Sequence, residues 1–171
     1  MAIDRVVAPL LRVPLFAGLK PLQITEIARQ AEKLRFRPNQ IITQAGQPGD
    51  GAFLIVSGLA VCVARPQTLP SPEPVAPGSL IGEMAMLVEH EYGSTIVAQE
   101  LVLCLKITRA ALHAQMLDDF SLAEHFRKNI SDRLRRVHEE LRQIDGALAA
   151  CGSEPLEERG AAAPPRVARA S

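Results

Sequence analysis

Neither sign of charge prevails in this chain. Lys plus Arg and Asp plus Glu each number 19 in 171 residues, so the formal net charge is zero. That balance excludes the broad electrostatic field with which a protein holds nucleic acid or an anionic membrane non-specifically. No apolar run approaches the roughly 20 residues that span a bilayer. The N-terminus lacks a basic flank followed by a long apolar stretch, and Pro9 and Pro14 interrupt it, which argues against a signal peptide. Cysteine is sparse: Cys62, Cys104 and Cys151 are far apart, with no C-x-x-C spacing. Two of them sit in apolar, strand-like runs and read as small buried hydrophobes in a reducing compartment. The protein is therefore expected to be soluble and cytoplasmic, with no membrane partner.

Catalytic signatures are missing too. His90, His113, His125 and His138 show no zinc-binding spacing beside a third ligand, so no metal site is expected. There is no G-x-S-x-G elbow and no cysteine with a placed histidine. The glycines at 46, 49 and 51 are followed by neither G-K-[ST] nor a long helix, which rules out a phosphate loop. Glu83, Glu89 and Glu91 are the remaining acid/base candidates, the last two in a polar turn. An enzyme is not expected.

What is present is an ordinary globular composition, 47% hydrophobic and 22% charged, in a length that suits one domain, about residues 1–150. A short amphipathic helix is expected before Arg12. Pro21 suits the first position of a second helix that runs from Leu22 to Glu32, with Leu22, Ile24, Ile27, Ala28 and Ala31 available for burial. From Leu34 the period changes to short β-prone runs at 34–36, 41–42, 53–56 and 59–63, separated by turns rich in Gly, Asn, Asp and Pro. Such spacing argues a sandwich or barrel. Arg65 to Gly78 holds five of the 13 prolines and cannot be a central strand; it reads as a hairpin excursion, either a passive loop or a rim. Strand character returns from Ser94 to Ile107, with a break near Gln99. Thr108 suits the N-cap of a short helix carrying Leu112, Met116 and Leu117.

The most informative stretch is Gly78 to Ala98, GSLIGEMAMLVEHEYGSTIVA. Leu80-Ile81 leads a strand up to Gly82, Glu83 to Val88 has the composition of a turn or two of helix, and Ser94 to Val97 returns to strand. A short helix between two strands leaves first-turn N–H groups without intrahelical partners, an arrangement suited to an anion.

Gly82-Glu83-Met84-Ala85-Met86-Leu87 resembles the opening of the phosphate-binding cassette in cyclic-nucleotide-binding domains, the family of Crp/Fnr-type regulators, protein kinase A regulatory subunits and cyclic-nucleotide-gated channels. The Pro14-Leu15-Phe16-Ala17-Gly18-Leu19 run and the Gly46-x-x-Gly49-Asp50 turn are similar to other parts of the same family. The resemblance covers about residues 14–148. It implies a mainly β fold with α, a jelly-roll-like β-roll with N-terminal helices, a short cassette helix and a long C-terminal helix. It also implies a site at Gly82, Glu83, Met84, Ala85, Tyr92, Gly93, Ser94 and Thr95, in which the glutamate holds a ribose hydroxyl and backbone N–H groups hold a cyclic phosphate. Possible ligands are cAMP, cGMP or another cyclic nucleotide, with no other cofactor. The arginine that meets the phosphate in the family is replaced by Tyr92, and no Arg or Lys occurs between Arg65 and Lys106.

A helix is expected at about 121–149, opened by a capping box at Ser121-Leu122-Ala123-Glu124. Along it Ile130, Leu134, Val137, Leu141, Ile144 and Leu148 step by 4, 3, 4, 3 and 4, a heptad pattern. This stripe packs either on its own domain or on a second copy. By resemblance to Crp-type proteins it is a dimer seam, with Ile130, Leu134, Val137, Leu141 and Ile144 as its residues. Residues 151–171 are expected to be a disordered tail. Within these 171 residues no helix-turn-helix follows, so the reading is a stand-alone sensor domain with no direct DNA binding, which relays its ligand to an unidentified protein partner. The alternative is a degenerate domain that binds no nucleotide and serves for dimerisation or docking.

Overall fold

The computed structural model describes residues 4–64 and 72–151. The first half of the Pro-rich excursion, residues 65–71, and the tail from residue 152 on lie outside the described residues. By contact density the chain divides into two units, Met1–Asn129 and Ile130–Ser171. In chain order the elements are α1 (Asp4–Leu11), a 3-10 turn (Pro14–Phe16) and α2 (Pro21–Gln30). The strands that follow are β1 (Glu32–Phe36), β2 (Ile41–Thr43), β3 (Pro48–Gly49), β4 (Gly51–Ser57), β5 (Ala60–Ala64), β6 (Glu73–Val75) and β7 (Leu80–Ile81). Then come α3 (Glu83–Leu87), β8 (His90–Glu91), β9 (Thr95–Ala98), β10 (Val102–Thr108), α4 (Arg109–Asp118) and α5 (Phe120–Cys151). Among the described residues no helix is long and apolar enough to cross a membrane.

The strands form two four-stranded antiparallel sheets, ordered β1-β10-β4-β7 and β2-β9-β5-β6, with β3 and β8 as a separate pair. This is the β-roll with flanking helices that the sequence implies. The register follows burial. On β4, Phe53 and Ile55 join Ile81, Val102 and Cys104 of their own sheet and Ile42, Ala60, Cys62, Ile96 and Ala98 of the other in one core. Ala52 and Leu54, on the opposite face of β4, are also fully buried. A strand covered on both faces reads as a continuous apolar run, which is why Ala52 to Val56 shows no alternation. Burial pushes the Cys104 thiol up to about 12, so this cysteine is a small hydrophobe. Pro74 is tolerated because β6 is an edge strand. Asn39 takes φ +69°, as its turn requires.

The helical layer has its own core, in which Phe16 and Phe126 meet edge to face at 6.1 Å and Leu10, Ile24, Ile27, Leu112 and Leu122 are buried. Three local expectations are corrected. The second helix ends at Gln30, not Glu32, because Glu32 already pairs with Lys106 in the sheet. Leu22 and Leu117, expected to pack, are 79% and 87% exposed. The long helix opens one residue early, and its cap is Asp119 rather than Ser121. The Asp119 carboxylate accepts the Ser121 N–H at 2.9 Å and the Leu122 N–H at 3.3 Å. The Ser121 hydroxyl and the Gln23 amide also donate to it, holding its carboxyl at about 2. Thr108 does cap α4, its Oγ1 accepting the Ala111 N–H.

These burials predict a sharp contrast on truncation. Phe53→Ala should cost about 3–5 kcal/mol of unfolding free energy in urea titration, whereas Leu22→Ala should stay within about 0.5 kcal/mol. Equal effects would mean that the inter-sheet core does not carry the fold.

Candidate functional site

Pairing of β7 with β4, Ile81 opposite Phe53 and Leu80 opposite Leu54, delivers the chain to Gly82. Gly82 is the N-cap of α3 in the left-handed region, φ +75°. A Cβ there would stand 2.7 Å from Tyr92 Cε1 and 3.1 Å from the Gly51 carbonyl oxygen. Gly49 is crowded in the same way: its Cβ would meet Ala85 Cβ at 2.4 Å and Tyr92 Cε1 at 3.1 Å. Two glycines thus make room for one ring, and the tyrosine crosses from the cassette onto the start of β4.

Tyr92 is fastened at both ends. Its N–H donates to the Gln47 carbonyl and its own carbonyl accepts the Gly46 N–H, each at 2.9 Å. Its ring packs against Phe53 with centroids 6.2 Å apart. The hydroxyl donates to the Gly51 carbonyl at 3.0 Å and lies 3.4 Å from Asp50 Oδ1. Asp50 in turn is ion-paired with Lys106, Oδ2 to Nζ 2.6 Å. The Lys106 ammonium, bonded to the carboxylate, lowers the Asp50 pKa, while burial and then the Asp50 charge raise that of Tyr92.

The other expected site residues divide into two groups. Gly82, Ala85 and Tyr92 come together around Gly49, with Ala85 buried. Glu83 and Met84 are half-buried on the first turn of α3, and the Met84 carbonyl accepts the Val88 N–H. The Ser94 carbonyl and the Thr95 hydroxyl are committed elsewhere. The Ser94 carbonyl accepts the Thr43 hydroxyl at 3.1 Å and Thr95 Oγ1 accepts the Ala45 N–H at 3.0 Å, so both tie β9 to the turn after β2. Gly93 is exposed with open space around its Cα.

Sequence reasoning missed the cations. Lys106 and Arg109 lie outside the cassette in sequence and reach it from the end of β10 and the start of α4. Arg109 Nη1 donates to the carbonyls of Gly49, Ala85 and Val88 at 2.9, 3.0 and 3.0 Å. His113, one turn later on α4, places Nε2 2.8 Å from the Leu87 carbonyl. Together they satisfy the carbonyls that the short α3 leaves open at its C-terminal end. An open cavity of about 630 Å³ lies beside this clamp, lined by Pro48, Gly49, Glu89, His90, Glu91 and Arg109 and by none of the residues expected to hold the ligand. No signal within the cassette itself points to Arg109. Among the described residues no cluster of His, Cys, Asp and Glu is placed to hold a metal ion.

In the 130–151 unit, Leu134, Val137, Leu141 and Ile144 are 47–65% exposed, and Ile130 is half-buried.

The packing of Tyr92 on Gly82 gives a direct test. Gly82→Ala should destabilise by about 1–2 kcal/mol for the left-handed backbone alone, plus an overlap cost of about 1–3 kcal/mol. Tyr92→Ala introduced with it should recover the overlap share only. Additive effects in the double-mutant cycle would refute the contact.

Residues 33–119 match the cyclic nucleotide-binding domain family. Over 121 residues the chain is 32% identical to a cyclic nucleotide-gated potassium channel of Mesorhizobium japonicum, covering 71% of this chain and 33% of the channel. It is 23% identical over 142 residues to a CRP-like cAMP-activated global transcriptional regulator of Mycobacterium tuberculosis, covering 79% of this chain and 61% of the regulator. A cyclic nucleotide-binding-like protein from Brucella abortus, 27% identical, superposes with a TM-score of 0.60 over 68% of this chain and 100% of its own. The N-terminal domain of a Streptomyces coelicolor transcriptional regulator, 22% identical, shares the fold at a TM-score of 0.71 over 78% of this chain and 94% of its own. The chain thus spans about a third of the channel and less than two thirds of the regulator. With its β-roll, its left-handed glycine before a short cassette helix and its long C-terminal helix, the chain belongs to the cyclic nucleotide-binding domain family.

Proposed function

We propose that this cytoplasmic domain senses a cyclic nucleotide, or a related small ligand, at Gly82, Glu83, Met84, Ala85, Tyr92, Gly93, Ser94 and Thr95. It relays the bound state to a protein partner, with weakened recognition of the phosphate. The observation that carries this reading is Tyr92. At the position where relatives place an arginine it offers no charge, and its hydroxyl is already bonded to the Gly51 carbonyl. A phosphate in a partly dry pocket that loses a charge-assisted partner forgoes about 2–5 kcal/mol, or roughly 30-fold to several thousand-fold in affinity. The α3 N–H groups and the hydroxyls of Ser94 and Thr95 compensate only in part, the Thr95 oxygen being engaged with Ala45.

The second reading, a module that binds no nucleotide, draws on the same ring. Tyr92 fills the space between Gly49, Gly82 and Phe53, and in that case the domain serves for dimerisation or docking alone. Calorimetric titration with cAMP, cGMP and cyclic dinucleotides separates the two. Weak saturable binding that Tyr92→Arg tightens by about tenfold or more supports the sensor; Asp50 stands where it can orient the new guanidinium, whose fork suits two phosphate oxygens. Tight binding that Tyr92→Arg leaves unchanged would overturn the weakened-phosphate reading. No binding by either protein would favour the docking module.

In both readings the Ile130, Leu134, Val137, Leu141 and Ile144 stripe forms a homodimer. An apolar heptad stripe left in water on a small domain is costly, and a second copy of the same helix covers it residue for residue. Leu134→Glu should convert a dimer to a monomer in sedimentation at micromolar concentration. A native monomer, unaffected by the change, would remove the seam from the proposal.

A further inference from the structure

The open cavity beside the cassette holds charges of both signs that do not meet. Arg109 contributes a cation whose Nη1 is bound by three main-chain carbonyls, Gly49, Ala85 and Val88. Carbonyls fix a guanidinium in place but do not neutralise it. Among the described residues its Nε and Nη2 make no hydrogen bond, and no carboxylate of those residues lies within ion-pair distance of it. Glu89 and Glu91 line the same cavity, also without an ion pair among the described residues, with His90 between them. The separation has a structural cause. The carbonyl clamp holds Arg109 to α3, while pairing of Gly49 with His90 and of Pro48 with Glu91 holds Glu91 on β8, with Glu89 just before that strand. A guanidinium already held by carbonyls costs a ligand little reorganisation on that side, and about 630 Å³ is ample for a small molecule.

We propose that this cavity binds a free amino acid with a basic side chain. The Nε and Nη2 edge of Arg109 is the side of a guanidinium that takes a carboxylate through two parallel hydrogen bonds. Glu89 and Glu91 receive the α-ammonium and the side-chain cation. One cation against two carboxylates leaves the lining one positive charge short, and a ligand with one carboxylate and two cationic groups closes the balance. A dicarboxylate or a phosphate monoester meets two glutamates and is disfavoured; a diamine leaves Arg109 unmet. Because the same guanidinium holds the Ala85 and Val88 carbonyls, an occupant is felt directly at α3. The site adjoins Tyr92 through Gly49 and Glu91 but is lined by none of the residues proposed to hold the cyclic nucleotide, and it does not require one at the cassette.

The test is calorimetric titration of the full chain with L-lysine and L-arginine, with cadaverine as the analogue lacking a carboxylate and L-norleucine as the one lacking the side-chain cation. Both amino acids should bind saturably, and both analogues at least about tenfold more weakly. The double variant Glu89→Gln/Glu91→Gln changes exposed side chains and should keep the native melting temperature while weakening lysine by about tenfold or more. Arg109→Lys keeps the charge but removes the fork, and should weaken the amino acids while leaving cadaverine unchanged; if that variant does not fold, the glutamate variant still decides. No saturable binding by either amino acid, equal binding by cadaverine, or lysine binding unaffected by the glutamate changes would overturn the proposal.

Discussion

Burial of β4 on both faces fixes where the cassette can sit. Phe53 and Ile55 face the second sheet, while Ala52 and Leu54 face the opposite side, and all four are almost wholly removed from water. Such a strand cannot slip by one residue, because a slip would exchange its two faces. Its register with β7 is therefore set, and with it the position of Gly82 directly after Ile81. The start of the same strand supplies Gly51, whose carbonyl receives the Tyr92 hydroxyl, and its partner β10 supplies Lys106, which pairs with Asp50. Core packing and site geometry are here one constraint.

Charge around the cassette is arranged from outside it. The segment from Gly78 to Ala98 holds Glu83, Glu89 and Glu91 and neither Lys nor Arg. Two cations come instead from the junction of β10 and α4. Lys106 is spent on Asp50 and lies 5.7 Å from the centre of the Phe53 ring. Arg109 is spent on carbonyls, which leaves its charge uncompensated. The open carbonyls of α3 are satisfied by Arg109 and His113 of α4. That bonding explains how a five-residue helix persists at all, given that isolated helices of that length do not form in water.

Much of the fold was legible from residue pattern. The turn residues, the apolar run of β4, the Thr108 cap and the G-E-x-A opening each act locally, so spacing alone exposes them. The misreadings were of neighbours remote in sequence. Ser121 is a proper capping residue by type, yet Asp119 takes the position, and Gln23, 96 and 98 residues away, donates to both side chains. Leu22 matched the apolar face of α2 but sits at its first turn, where it is left largely exposed.

The sequence by itself determined the cassette, because a glycine, an acidic first turn and a return to β-branched residues are properties of nearby positions. It also determined that the segment from Gly78 to Ala98 contains neither Lys nor Arg. Only the tertiary structure decided what Tyr92 does there. Its ring settles in the room left by Gly49 and Gly82, and its hydroxyl ends on Gly51, 41 residues away. The structure likewise decided that Arg109 is the cation at this site. Hydrogen bonds to the carbonyls of residues 21, 24 and 60 positions away depend on how strands and helices are brought together, and no local spacing encodes that.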